Sequence, residues 1–120
     1  MDKKTVVLGA STKPERYSFL ATRALLRNGH TVVPIGNKAG KIDGQAIFMG
    51  KPHIENIDTV TLYLNPERQK EYYDYIISLQ PKRIIFNPGT ENPELMQLAK
   101  NQKISTELAC TLVLLSTSQY

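Results

Sequence analysis

The chain has 120 residues, 41% of them hydrophobic and 22% charged, with a formal net charge of +4, which suits one ordinary globular core and is too short for two. No apolar run approaches the roughly 18 residues a spanning helix needs, the opening Met1-Asp2-Lys3-Lys4-Thr5 lacks a secretory apolar stretch, and the cytoplasm is the expected compartment. The single Cys110 excludes an internal disulfide, the distant His30 and His53 do not suggest a metal site, and the basic residues are scattered, without the tract or aromatic motif that marks nucleic-acid binding.

Thr5 to Leu8 suit the interior of a strand and stop at Gly9, and an amphipathic helix follows within a turn. That is how a nucleotide-binding α/β unit begins, with the glycine permitting a tight turn and the helix N-terminus offering unpaired N–H groups to an anion. The spacing predicts a helix over 16–28, with Tyr17, Leu20, Ala21, Ala24 and Leu25 on its core stripe and Gly29 as its C-terminal cap. Phe19 and Leu26 fall off that stripe. They read as covered by a neighbouring loop, as tolerated exposures, or as a homodimer contact.

Thr31 to Ile35 form a β-branched strand, and the loop from Gly36 to Lys41 carries two lysines. The right-handed crossover rule makes these first two strands parallel. From Ile42 to Asn56 the pattern is weak: Gln45 to Met49 suit a brief edge strand, and Gly50-Lys51-Pro52 a turn into a short helical piece. Alternation of Val60, Leu62 and Leu64 with threonine and tyrosine then predicts a strand over 58–64.

Asn65-Pro66-Glu67 is a helix start, with an N-cap side chain, proline at the first helical position and an acid in the first turn. The helix is expected to reach Leu79, with Tyr72, Tyr73, Ile76 and Leu79 toward the sheet. Pro81 closes it, Lys82 to Phe86 give the next strand, and Asn92-Pro93-Glu94 repeats the helix-start chemistry for a helix ending near Asn101 that buries Leu95, Leu98 and Ala99. Ile104 to Thr106 begin a last strand. Ala109 to Leu115 fit a buried strand or a helix equally.

Alternating strands and helices predict a single α/β domain over 1–120: a doubly wound, Rossmann-like parallel sheet of about five strands with helices on both faces. In such sheets ligands sit outside the carboxyl ends of the strands. The turns that matter therefore follow the first strand (Gly9 to Pro14), the second (Gly36 to Lys41), and the strands that end before Asn65 and Asn87. The first turn has Ser11 where the dinucleotide fingerprint requires its second glycine, but Ser11 and Thr12 supply hydroxyls and Lys13 and Arg16 supply charge. Phosphate binding and simple capping both explain it. The second turn has Asn37 and Lys38 in place of the acid that holds the ribose of NAD. A cation there favours a ligand with an extra phosphate, which fits NADP and coenzyme A, although a solvated loop lysine is the plain alternative.

The Gly9-Ala10-Ser11 turn with Pro14, Val33-Pro34 leading to Lys38, Asp58-Thr59-Val60 running into Asn65-Pro66, and Asn87-Pro88-Gly89 before Asn92-Pro93-Glu94 together resemble a known family. They are those of the small CoA-binding proteins built from a single succinyl-CoA-synthetase-type Rossmann domain, and the resemblance covers nearly the whole chain. It implies coenzyme A or an acyl-CoA bound across the sheet edge, with pyrophosphate near Gly9, Ala10 and Ser11, Lys38 near a phosphate, and Tyr63, Leu64 and Asn65 beside the adenosine. Thr12, Lys13, Pro14, Arg16, Asn37, Asn87, Pro88 and Gly89 complete the expected site. The chain departs from the family pattern at Gly36-Asn37, where Asn-Pro often precedes the lysine, and this bears on the shape of the second turn.

The sole thiol, Cys110, follows Glu107-Leu108-Ala109. It reads either as core or as a contact for the cofactor's thiol, and no histidine stands beside it to activate it. The larger enzymes that carry this domain act through further domains, for which 120 residues leave no room. The expectation is a binding or sensing module and not an enzyme, with an NADP-binding oxidoreductase-like protein or an interaction subunit with a vestigial cleft as alternatives.

Overall fold

In the computed structural model, which describes residues 2–120 and leaves Met1 outside the described residues, the elements alternate along the chain. In order they are β1 (Thr5–Leu8), α1 (Tyr17–Arg27), β2 (Val32–Ile35), β3 (Lys41–Ile42), β4 (Gln45–Ala46), β5 (Thr59–Leu62) and α2 (Pro66–Gln69). A 3₁₀ turn (Lys70–Tyr72) leads into α3 (Tyr73–Ser78), then β6 (Arg83–Phe86), α4 (Pro93–Asn101), β7 (Ser105–Leu108) and α5 (Thr111–Ser116). Five strands make one sheet in the order β2-β1-β5-β6-β7, and every neighbouring pair is parallel. β1 thus lies where the winding reverses.

Parallel strands are covered on both faces, and β1, β2 and β5 are buried at all four positions, the threonines of β1 and β5 included. Successive side chains still go to opposite faces. Val6, Leu8, Val60, Leu62, Ile84 and Phe86 share one core with Ile76 and Leu79 of the α3 end and Leu95 and Ala99 of α4. Val7 and Val32 share the other with Phe19 and Leu25 of α1, Leu115 of α5, and Ile42 and Ile47. Each such fully buried aliphatic side chain stabilises the fold by about 1.5–3 kcal/mol before entropy is counted.

The helix ends follow the expected chemistry. Asn65 Oδ1 accepts from Arg68 N at 2.9 Å and Asn92 Oδ1 from Leu95 N at 3.2 Å, each with proline at the start of its helix. Gly29, at φ +83°, completes a Schellman cap in which His30 N donates to Leu25 O at 3.1 Å and Gly29 N to Leu26 O at 3.1 Å.

Four expectations need correction, and one left open is resolved. The buried face of α1 is Ser18, Phe19, Ala21, Thr22 and Leu25, while Tyr17 and Leu20 are exposed, because the β3–β4 hairpin covers the flank on which Phe19 lies. Residues 50–58 form no helix; the edge-strand expectation survives as β4 and as an isolated parallel bridge from Ile35 to Phe48. The strand expected over 58–64 stops at Leu62, leaving Tyr63 and Leu64 in the turn. The helix after Asn65 is broken by the 3₁₀ turn. The apolar stretch after β7, open between strand and helix, is the helix α5. No helix among the described residues is long and apolar enough to cross a membrane.

Candidate functional site

A cleft of about 220 Å³ opens at the carboxyl edge of the sheet where β1, β2 and β5 end. The three turns that build it are pressed together by glycines. Gly9, at φ +101°, lies so close to β5 that a Cβ there would stand 3.0 Å from the Tyr63 carbonyl carbon. A Cβ on Gly36 would sit 2.4 Å from the Ala10 carbonyl oxygen, so only glycine lets the second turn lie against the first.

The first turn is ordered by the second. Ile35 O accepts from both Gly9 N at 2.9 Å and Ala10 N at 2.8 Å. Those two amides, expected to face a pyrophosphate, are therefore already used. Ser11 Oγ accepts from Lys13 N at 3.1 Å, which closes the loop and leaves its own proton to donate. The N-cap of α1 is Arg16, without a side-chain cap bond. Among the described residues the N–H groups of Ser11 and Thr12 and of Tyr17, Ser18 and Phe19 at the start of α1 have no protein acceptor, so the unpaired amides of this turn begin one residue later than Ala10.

Charge is concentrated at this cleft. Lys13 and Arg16 line it from the first turn, Lys38 from the second and Arg68 from α2. None of the four forms an ion pair among the described residues, although Arg23, Lys70 and Arg83 each do, and no carboxylate lines the cleft. Tyr63 forms part of the floor. Burial pushes its phenol well above the ordinary range, and the Thr111 and Thr61 hydroxyls beside it only partly oppose this, so it stays protonated at any working pH.

Of the residues expected from sequence, Gly9, Ala10, Ser11, Lys13, Arg16, Asn37, Lys38, Tyr63 and Leu64 come together here. The others lie outside the lining. Thr12 packs its methyl group toward Gly40, Pro14, Pro88 and Gly89 are exposed, and Asn65 caps α2. Asn87 is buried and occupied: its Nδ2 donates to Thr61 Oγ1 at 2.6 Å and to Leu62 O at 2.9 Å, and its Oδ1 accepts from Thr111 N at 2.9 Å. Cys110 is partly exposed at the N-cap of α5. Ile35, Arg68 and Tyr72 line the cleft without having been expected. Arg68 and Tyr72 are four residues apart after a strong N-cap, a spacing that places them on one side of a helix. Among the described residues no group of three or more His, Cys, Asp and Glu side chains is placed to hold a metal.

Comparison with known proteins gives a family and a fold. A family model described as a CoA binding domain matches residues 3–116. A crystal structure of an uncharacterized protein is 47% identical, with a TM-score of 0.97 over 100% of this chain and 99% of the other. A hypothetical protein from Pyrococcus horikoshii OT3 is 27% identical, with a TM-score of 0.83 over 93% of this chain and 80% of its own. A protein from Thermus thermophilus, at 20% identity and a TM-score of 0.86 over 99% of this chain and 91% of the other, shares the fold. No curated protein matches the chain.

Proposed function

This chain belongs to the CoA binding domain family, and from that premise we propose that it binds coenzyme A or an acyl-CoA in the cleft between β1, β2 and β5, as a binding or sensing module that does no chemistry on its ligand. The observation that carries the reading is four unpaired cations, with no acid among them, around a glycine-tightened turn. Coenzyme A brings about three to four negative charges at neutral pH, in a diphosphate and a phosphomonoester.

The residues suit those groups. The amides of Ser11 and Thr12, the Ser11 hydroxyl and the start of α1 would hold the diphosphate, with Lys13 and Arg16 balancing its charge. Lys38 would stand near a phosphate, and Tyr63 and Leu64 beside the adenosine, while Asn65 is taken up in capping α2. The cofactor supplies a thiol for acyl transfer, and the cleft offers no Asp, Glu, His or Cys as its acid or base. Of its two tyrosines, Tyr63 is held protonated by burial.

Ligand-dependent thermal unfolding tests the reading. CoA and acetyl-CoA are expected to raise the melting temperature, and Lys38→Ala combined with Ser11→Ala to abolish most of the shift. Stabilisation by NADPH with none by CoA would overturn it in favour of a nicotinamide nucleotide.

A further inference from the structure

We infer that the bare edge of the sheet at β7 docks an extended, acidic segment of another protein, which joins the sheet as a further strand with its carboxylates on Lys100 and Lys103. The two edges of the sheet differ. At the β2 edge Pro34 has no N–H to offer, its carbonyl accepts from Phe48 N at 2.8 Å, and Gly36 N donates to Phe48 O at 3.0 Å, so that side is closed. At the other edge β7 has no second neighbour among the described residues. Ser105 N donates to Lys82 O and Ala109 N to Phe86 O, each at 3.2 Å, which turns Ser105, Glu107 and Ala109 toward β6. In a parallel ladder the alternate residues, Thr106 and Leu108, then turn N–H and C=O outward. The strand holds no proline, its one charge, Glu107, is drawn to Arg83 Nη1 at 3.2 Å, and Leu108 is 65% exposed.

A groove runs beside this edge, with Pro93, Met96, Lys100 and Lys103 along it and Thr106 at its margin. Thr106 and Leu108 stand in register with Ile84 and Phe86, on the face that α4 covers. Because α4 returns the chain between two parallel strands, Pro93 and Met96 lie toward the Leu108 end and the lysines toward the Ser105 end. Alternate side chains of an added strand therefore meet apolar surface at one end and positive charge at the other. Neither lysine forms an ion pair among the described residues, and no carboxylate lines the groove. The Lys103 backbone is fixed by the cap of α4, where Lys103 N donates to Lys100 O at 3.0 Å and Ile104 N to Ala99 O at 2.9 Å. A second copy of the chain fits less well. Paired about a two-fold axis in the register that uses both outward residues, it sets Glu107 opposite its own counterpart and brings the lysines no acid.

Fluorescence anisotropy with a labelled peptide, Glu-Thr-Glu-Thr-Val-Thr-Val, and with its reverse-order twin tests the proposal; the same peptides with lysine for glutamate control for charge. One acidic order is expected to bind with Kd under about 1 mM, about tenfold or more tighter than its lysine form, and more weakly as salt is raised. Lys100→Gln with Lys103→Gln, both exposed side chains, should weaken it about fivefold at an unchanged melting temperature. Thr106→Pro deletes an outward N–H that the fold does not use and should abolish binding with a cooperative thermal transition retained; if that variant does not fold, slowed exchange of the Thr106 and Leu108 amides on adding peptide to the wild type locates the contact instead. The proposal is overturned if neither acidic order binds, if the lysine forms bind equally well, if the glutamine variant keeps full affinity, or if exchange slows only elsewhere. Sedimentation showing self-association that Thr106→Pro removes would also overturn it, by making a second copy the occupant.

Discussion

Asn87 illustrates how a residue that reads as ligand-facing in sequence is consumed by the fold. It follows β6 at the carboxyl edge, where ligands bind, but all of its side-chain bonds go to Thr61, Leu62 and Thr111, tying β5 and the start of α5 to β6. Asn87→Ala is expected to lower unfolding stability by about 2–3 kcal/mol, since buried partners lose their bonds, and to leave CoA affinity nearly unchanged in the folded fraction; denaturant unfolding and calorimetry separate the two. Gly36 is the converse case, a residue that names no chemistry and yet shapes the site. Gly36→Ala forces a Cβ onto the Ala10 carbonyl, at a cost of about 1–3 kcal/mol and with loss of CoA binding, because the first turn is built against the second. Cys110, the only thiol, lies partly exposed on the β7–α5 turn. If the thiol end of the ligand reaches that turn, oxidised CoA adds one CoA mass that reductant removes; an unchanged mass sends the ligand's outer end elsewhere.

At the scale of elements, what could be read in the sequence was whatever local chemistry dictates. Asn-Pro-Glu twice marked a helix start, Gly29 a helix end, and the β-branched runs the strands, because caps and turns act within four residues. What could not be read was decided by neighbours far along the chain. The core stripe of α1 was misplaced because the hairpin that covers Phe19 was itself illegible, and the single helix expected after Asn65 breaks at Lys70–Tyr72, where Lys51 Nζ lies 5.4 Å from the Tyr72 ring centroid. Phe19 is only 7% exposed, so Phe19→Glu reports on folding and not on association. It is expected to unfold or severely destabilise the protein, measured as a lost cooperative thermal transition. Of the cleft, the turns on β1 and β2 were visible as motifs, whereas Arg68 and Tyr72 were not: nothing in a helix-start motif says which side of the helix meets a ligand.

For the whole molecule, the reversal of winding at β1 explains why the strand ends of β1, β2 and β5 share one cleft and why its charge is so lopsided. Binding that rests on four exposed cations is screened by salt, over about 8 Å at physiological ionic strength, and CoA affinity is expected to fall steadily as sodium chloride is raised. The opposite edge of the sheet carries a pH dependence of its own. His30 Nδ1 accepts from Lys3 N at 2.9 Å, a bond that requires the unprotonated nitrogen, and burial is the main reason its pKa lies below the usual 6.5. The unfolded chain therefore binds the proton more tightly. Stability from this group is complete above about pH 6.5 and declines as the pH drops below it. A melting-temperature series from pH 7.5 to 5.5 should show that decline in the wild type and a shallower one in His30→Gln.

The carbonyl of Ile35 that receives both Gly9 and Ala10 holds the bend through bonds within the chain itself. In deuterium oxide these two amides should exchange slowly with or without CoA, whereas Ser11 and Thr12, which have no protein acceptor, should exchange within seconds until the ligand arrives and then slow by orders of magnitude. Little chain entropy is then surrendered on association, and encounter with the nucleotide should proceed without a slow rearrangement phase.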